Sequence, residues 1–123
     1  MSEEMMSYRR LVVYQHSRKY VKDIYLLTKD FPKEELFALT NQLRRAAVSI
    51  TSNIAEAMGR FSDKDKLHFL EFAFGSLYET MSQIEIALDL NYITKEQYDD
   101  MEKQVSDIAK MLSGLRNSIM RDL

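Results

Sequence analysis

The sequence predicts an all-α protein, an up-down-up-down antiparallel four-helix bundle. Three observations carry that prediction. Apolar residues recur at steps of three and four along four separate segments, the spacing that keeps side chains on one helical face. Only 3 Gly and 1 Pro punctuate 123 residues, too few for a many-stranded fold. The links between the segments are short, so consecutive helices must turn back on one another.

The first helix is expected over about residues 7–29. Its stripe is Val13, Ser17, Tyr20, Ile24 and Leu27, widened by Tyr14, Val21, Tyr25 and Thr28. Asp30-Phe31-Pro32 stops it, because the residue before a proline is pushed out of the α region. The second helix is expected over 32–58. Pro32 suits its first position, Glu34 and Glu35 complement the helix dipole, and Gly59 is a natural left-handed residue after its end. Its main stripe reads Leu36, Leu39, Leu43, Ile50 and Ile54.

The third helix, 63–90, opens at Ser62 as N-cap with Asp63 and Asp65 in the first turn. Its stripe runs Leu67, Leu70, Phe74, Leu77, Met81, Ile84 and Leu88. The turn Asn91-Tyr92-Ile93 leads to the fourth helix, 95–121, where Thr94 and Gln97 form a capping box. There Tyr98, Met101, Val105, Ile108, Leu112, Leu115 and Ile119 make a regular bundle seam. The expectation is a single domain over residues 1–123, with helices roughly 35–40 Å long at about 1.5 Å per residue.

Two helices carry more apolar surface than one seam needs. On the third, Phe69, Phe72, Ala73, Thr80, Ile86, Ala87 and Leu90 form a second face; on the second, Phe37, Val48, Ala55 and Met58 lie off the main stripe. Either the core stripe is wide or a further subunit covers these faces. Phe37, Val48, Phe69 and Phe72 are the candidate interface residues.

Composition limits the chemistry. With no Cys there is no disulfide framework, thiolate zinc site or Cys nucleophile. No apolar run reaches the roughly 18 residues of a membrane span, and the N-terminus lacks a signal-peptide core. A cytoplasmic location is expected. Asp65-x-x-His68 is a single carboxylate–histidine pair, whereas a di-iron bundle needs two with further acids. Neither a phosphate-binding glycine loop nor a nucleophile elbow occurs, so no enzyme, metal or cofactor is expected.

The net charge of −2 conceals an asymmetry. Residues 1–62 carry 10 basic and 7 acidic side chains, net +3, and residues 63–123 carry 7 and 12, net −5. Arg9, Arg10, Arg18, Lys19 and Lys22 occur without an acid between Tyr8 and Lys22, and Arg44 and Arg45 add a pair. These seven are candidate phosphate contacts, of the kind that give salt-dependent affinity without reading sequence. A second constellation is the polar side of the second helix. Arg45, Ser49, Ser52, Glu56 and Arg60 fall within about 80° of one another, flanked by Asn53. With Ser76 and Glu79 they are candidates for a half-buried network that fixes helix register, with Glu56 able to bond Ser76 or another donor on the third helix, or to pair with Arg60 four residues on.

"FPKEELFALTNQLRRAAVSITSNIAEAMGR" followed by "FLEFAFGSLYETMSQIEIAL" resembles the bacterial 23S ribosomal RNA intervening-sequence proteins. Phe31, Pro32, Glu35, Gln42, Leu43, Arg45, Ala46, Ser49, Ile50, Asn53, Ile54, Ala55, Glu56, Gly59, Arg60, Gly75, Ser76 and Glu79 fit that family's pattern; Ala57 stands where Gly is usual. The resemblance implies a homopentameric bundle without catalytic activity. It is similar to the accessory protein of diversity-generating retroelements, which binds nucleic acid and a reverse transcriptase. Structured RNA or DNA and a reverse transcriptase are therefore expected partners, with a protein-binding scaffold as the alternative.

Overall fold

The computed structural model describes residues 4–123, with side chains from Ser7 onward. A 3-10 turn at Glu4–Arg10 leads into α1 (Val12–Thr28), and a second at Lys33–Glu35 precedes α2 (Leu39–Met58). α3 spans Asp63–Asp89 and α4 spans Lys95–Arg121, with no strand among the described residues. The helices run up, down, up and down. Each packs on its chain neighbours and α4 closes on α1, which leaves α1 facing α3 across the core. The α2–α3 seam is the most extensive and the α1–α4 seam the thinnest.

The predicted stripes converge inward. Val13, Ser17, Tyr20 and Ile24 of α1 are buried with Leu43, Ile50 and Ile54 of α2. Leu70, Leu77 and Ile84 of α3 meet Met101, Val105, Ile108, Leu112 and Ile119 of α4. Tyr20 reaches across the bundle, and its hydroxyl pairs with Thr80 Oγ1 at 2.9 Å, a polar link inside an apolar core. Burial pushes the Tyr20 phenol upward, partly offset by the hydrogen bond to Thr80.

Three local expectations are corrected. The first helix is broken: Leu11 is extended (φ −66°, ψ 128°), and its side chain packs on the core. The 3-10 turn before it folds back, setting Tyr8 edge-on to Tyr14 at 5.0 Å, while Gln15 Nε2 donates to Arg9 O at 3.1 Å. The second helix starts at Leu39 and not at Pro32. Phe31 is buried against Tyr92, and the Tyr92 hydroxyl donates to Glu35 Oε2 at 2.7 Å. That anchorage draws residues 31–35 toward the α3–α4 turn and off the axis of α2. Leu36 is consequently left on the surface.

Gly59 closes α2 in a right-handed conformation (φ −84°), its N–H bonding carbonyls of the last turn. The left-handed position is Asn91 (φ 61°), a residue type that tolerates it at a helix end. The caps at Ser62 and Thr94 form as expected, including both halves of the Thr94–Gln97 box.

Candidate nucleic-acid and assembly surfaces

The candidate cations divide by environment. Arg9 and Arg10 are exposed in the 3-10 turn, and Arg18 and Lys22 are exposed on α1. Lys19 is paired with Asp23 at 2.7 Å; that hydrogen bond is the main reason its ammonium pKa is raised. Asp23 also accepts from Gln104 Nε2 at 3.0 Å, so this pair fastens α1 to α4. Arg44 is half-buried: its Nε donates to Thr28 Oγ1 at 2.8 Å and its guanidinium lies 4.8 Å from the Tyr25 ring. Such a residue staples α2 to the last turn of α1, with one of its five N–H donors spent there. Arg45 is exposed on α2.

Charge in the fold is sorted along the bundle axis. The contacts Tyr20–Thr80 and Ser49–Ser76 fix the mid-level of the bundle. Residues 4–19, 49–75 and 109–123 make one half, with ten Lys and Arg against six Asp and Glu, net +4. The other half, residues 20–48 and 76–108, has seven against twelve, net −5. Because alternate helices run in opposite directions, the linear split of the sequence becomes a polar rod. Arg60, Lys64, Lys66, Arg116 and Arg121, on three separate segments, join Arg9 and Arg10 at the basic end.

The polar stripe on α2 is brought together in part. Ser76 Oγ donates to Ser49 Oγ at 2.8 Å across the seam, and Asn53 Nδ2 donates to Ser49 Oγ at 2.9 Å and to Ser49 O at 2.8 Å. Glu56 does not reach Ser76. It pairs with Arg60 at 2.7 Å on its own helix, and the Arg60 guanidinium packs 4.3 Å from the Phe69 ring on α3. Glu79 accepts from Gln83 on α3 at 3.2 Å, and Ser52 faces solvent. Asn41, Gln42, Arg45, Ser49, Ser76 and Glu79 line a shallow groove of about 400 Å³ between α2 and α3.

The second apolar faces also divide. Ala73, Thr80 and Ala87 are buried in the core, Phe69 is partly covered, and Phe72 is 49% exposed. Phe37 is 89% exposed in the turn before α2, and Val48 is 39% exposed. Gly75 lies mid-α3 beside Ser76, and a Cβ placed on it would meet nothing within 4 Å. A helix-interior Gly costs about 1 kcal/mol relative to Ala, and no contact among the described residues calls for it.

No group of three or more His, Asp and Glu side chains able to hold a metal occurs among the described residues. No described helix is long and apolar enough to cross a membrane. The family model for 23S rRNA-intervening sequence protein matches residues 9–114, which takes in α1, the α2–α3 seam and most of α4. The chain belongs to this family. A crystal structure from Bacteroides thetaiotaomicron, of a protein with unknown function from the S23 ribosomal protein family, is similar to it. The two are 30% identical, with a TM-score of 0.80 over 86% of this chain and 96% of that one. Among curated proteins none matches. Of the residues of this 23S rRNA-intervening sequence protein that fit the pattern, Gln42, Arg45, Ser49, Ser76 and Glu79 line one groove on the α2–α3 seam. The cations of the basic end outside that pattern, from Lys64 to Arg121, come together only in the fold.

Proposed function

We propose that this member of the 23S rRNA-intervening sequence protein family is a non-enzymatic, cytoplasmic, self-assembling accessory that binds nucleic acid. The observation that carries the reading is the axial sorting of charge, +4 against −5, which offers polyphosphate one end of the rod and repels it from the other. Arg9, Arg10 and Arg18 extend the basic end into the first half of α1, Lys22 lies just past its midpoint, Lys19 pairs with Asp23 on its own helix, and Arg44 ties α2 to α1. Assembly, a pentamer as the resemblance implies, is supported by the unfilled space at Gly75 between half-exposed Phe72 and the Ser49–Ser76 link. Repeating the basic end around a ring raises affinity through effective concentration without any new contact.

The test is retention of structured RNA or duplex DNA by the native protein as salt is raised. Binding should weaken steeply, with a log–log slope of about −0.7 to −0.9 per phosphate neutralised. Arg9→Glu with Arg18→Glu should abolish it while leaving helicity unchanged. In light scattering, Gly75→Leu should split the assembly, since the side chain has room within one chain but blocks a neighbouring helix. Absence of nucleic-acid retention at low salt would favour a protein-binding scaffold, for which exposed Phe37 at the acidic end is the attachment point.

A further inference from the structure

At the basic end, aromatic surface lies among the cations. Phe61, in the turn between α2 and α3, is fully exposed and packs on no other described ring. Burying such a side chain is worth about 1.5–3 kcal/mol, and here that stabilisation is forgone. The preceding residue, Arg60, is held by Glu56 and by the Phe69 ring, which fixes the approach to the turn. One turn into α3, exposed His68 is held edge-on by Phe72 at 4.6 Å and by Phe69 at 5.6 Å.

Beside His68 a groove of about 670 Å³ opens between the first turns of α3 and the last turns of α4. Its floor is apolar, formed by Leu67, Phe74 and Met120, and Lys64, His68 and Arg116 also line it with the carboxylate Glu71. The volume falls within the range of small-ligand sites and exceeds the needs of a single planar ring. Apolar and aromatic surfaces that share a lining with cations are what an unpaired base and its phosphate require. A duplex hides its base faces and can use only the cations. A neutral apolar ligand uses only the floor and makes no use of Lys64 and Arg116 in the same lining.

We infer that the α2–α3 turn and this groove form a site for single-stranded nucleic acid. Bases stack on Phe61 and His68 and enter the groove, and Lys64 and Arg116 hold the phosphates. The inference rests on the proposed nucleic-acid function and adds to it the strand form and the stacking groups.

The experiment measures fluorescence anisotropy of labelled oligouridine, oligothymidine and a duplex of equal length against the full chain at low salt. The single strands should bind more tightly than the duplex. Phe61→Ala and His68→Ala should each weaken single-strand binding about 5-fold or more and leave duplex binding unchanged, whereas Phe61→Tyr retains it. Lys64→Glu with Arg116→Glu should weaken both forms. Circular dichroism and light scattering accompany each variant. Equal binding of single strand and duplex, untouched by Phe61→Ala and His68→Ala, overturns the stacking site while leaving the nucleic-acid function standing. Dissociation of the assembly by Phe61→Ala also overturns it, because the surface then belongs to a second copy. Failure to bind any of the three probes removes both proposals together.

Discussion

The α2–α3 and α1–α4 seams hold the same bundle by different means. Along α2–α3 the residues are small: Ala46, Ala47, Ala57 and Ala73 are buried, and Ser49 bonds Ser76 directly. Helices edged with small side chains approach closely, so contact is extensive and hydrogen bonds are short-range. Along α1–α4 the link is made by long polar groups, with Asp23 receiving both Lys19 and Gln104. His16, Lys19, Asp100, Lys103, Gln104 and Asp107 line an open groove there. One seam is set by shape and the other by reach. Shape is intolerant of substitution, so changes to the small residues of the α2–α3 seam should cost more than changes to the long polar groups of α1–α4.

The largest test of that contrast is Leu77→Ala on the fully buried face of α3. It should cost about 2–5 kcal/mol, read as a lower urea midpoint, because a close-packed core cannot collapse into the void. Alkaline pH should come next. The Tyr20 phenol is raised by burial, so above about pH 10 the unfolded chain loses a proton that the native one retains. Stability present below that pH should fall by up to about 1.4 kcal/mol per pH unit as pH rises toward the native value. Tyr20→Phe should flatten this part of the profile. The smallest effects compare the seams directly: Ser76→Ala should cost about 0.5–1.5 kcal/mol, and Gln104→Ala, at a half-exposed link, about 0.5 kcal/mol or less. Equal losses in denaturant melts would erase the distinction between them.

The parts legible in the sequence were those governed by periodicity and by local caps. The stripes on α1, α3 and α4 needed only the helical repeat, and Ser62 and Thr94 act within four residues of themselves. The start of α2 was misplaced because Pro32 and its two following acids satisfy local rules, while the deciding contacts come from Tyr92, far along the chain. Gly59 looked left-handed by type, yet a right-handed ending already satisfies its N–H. Among the site residues, Ser49 is hydrogen-bonded to both Asn53 and Ser76, a contact across helices that spacing on α2 does not reveal. Glu56 turned to the nearer Arg60 because an i, i+4 pair needs no second helix. The axial sorting of charge is invisible in a linear count, since it arises only when alternate helices are reversed.

The tie from Phe31 and Glu35 to Tyr92 bears on motion. It fastens the α1–α2 connection to the α3–α4 turn, so two of the three links are locked together at the acidic end. The opposite end has one short link, between α2 and α3, together with the first turn of α1 and the last turn of α4. Opening should therefore begin there. Amide hydrogen exchange should form a gradient along the rod, with protection near the global unfolding limit around Thr28, Leu43 and Ala87 and progressively faster exchange toward Val12 and Arg121. Exchange of that form would make the rod a hinged clasp, closed at its negative end and opening at its positive one.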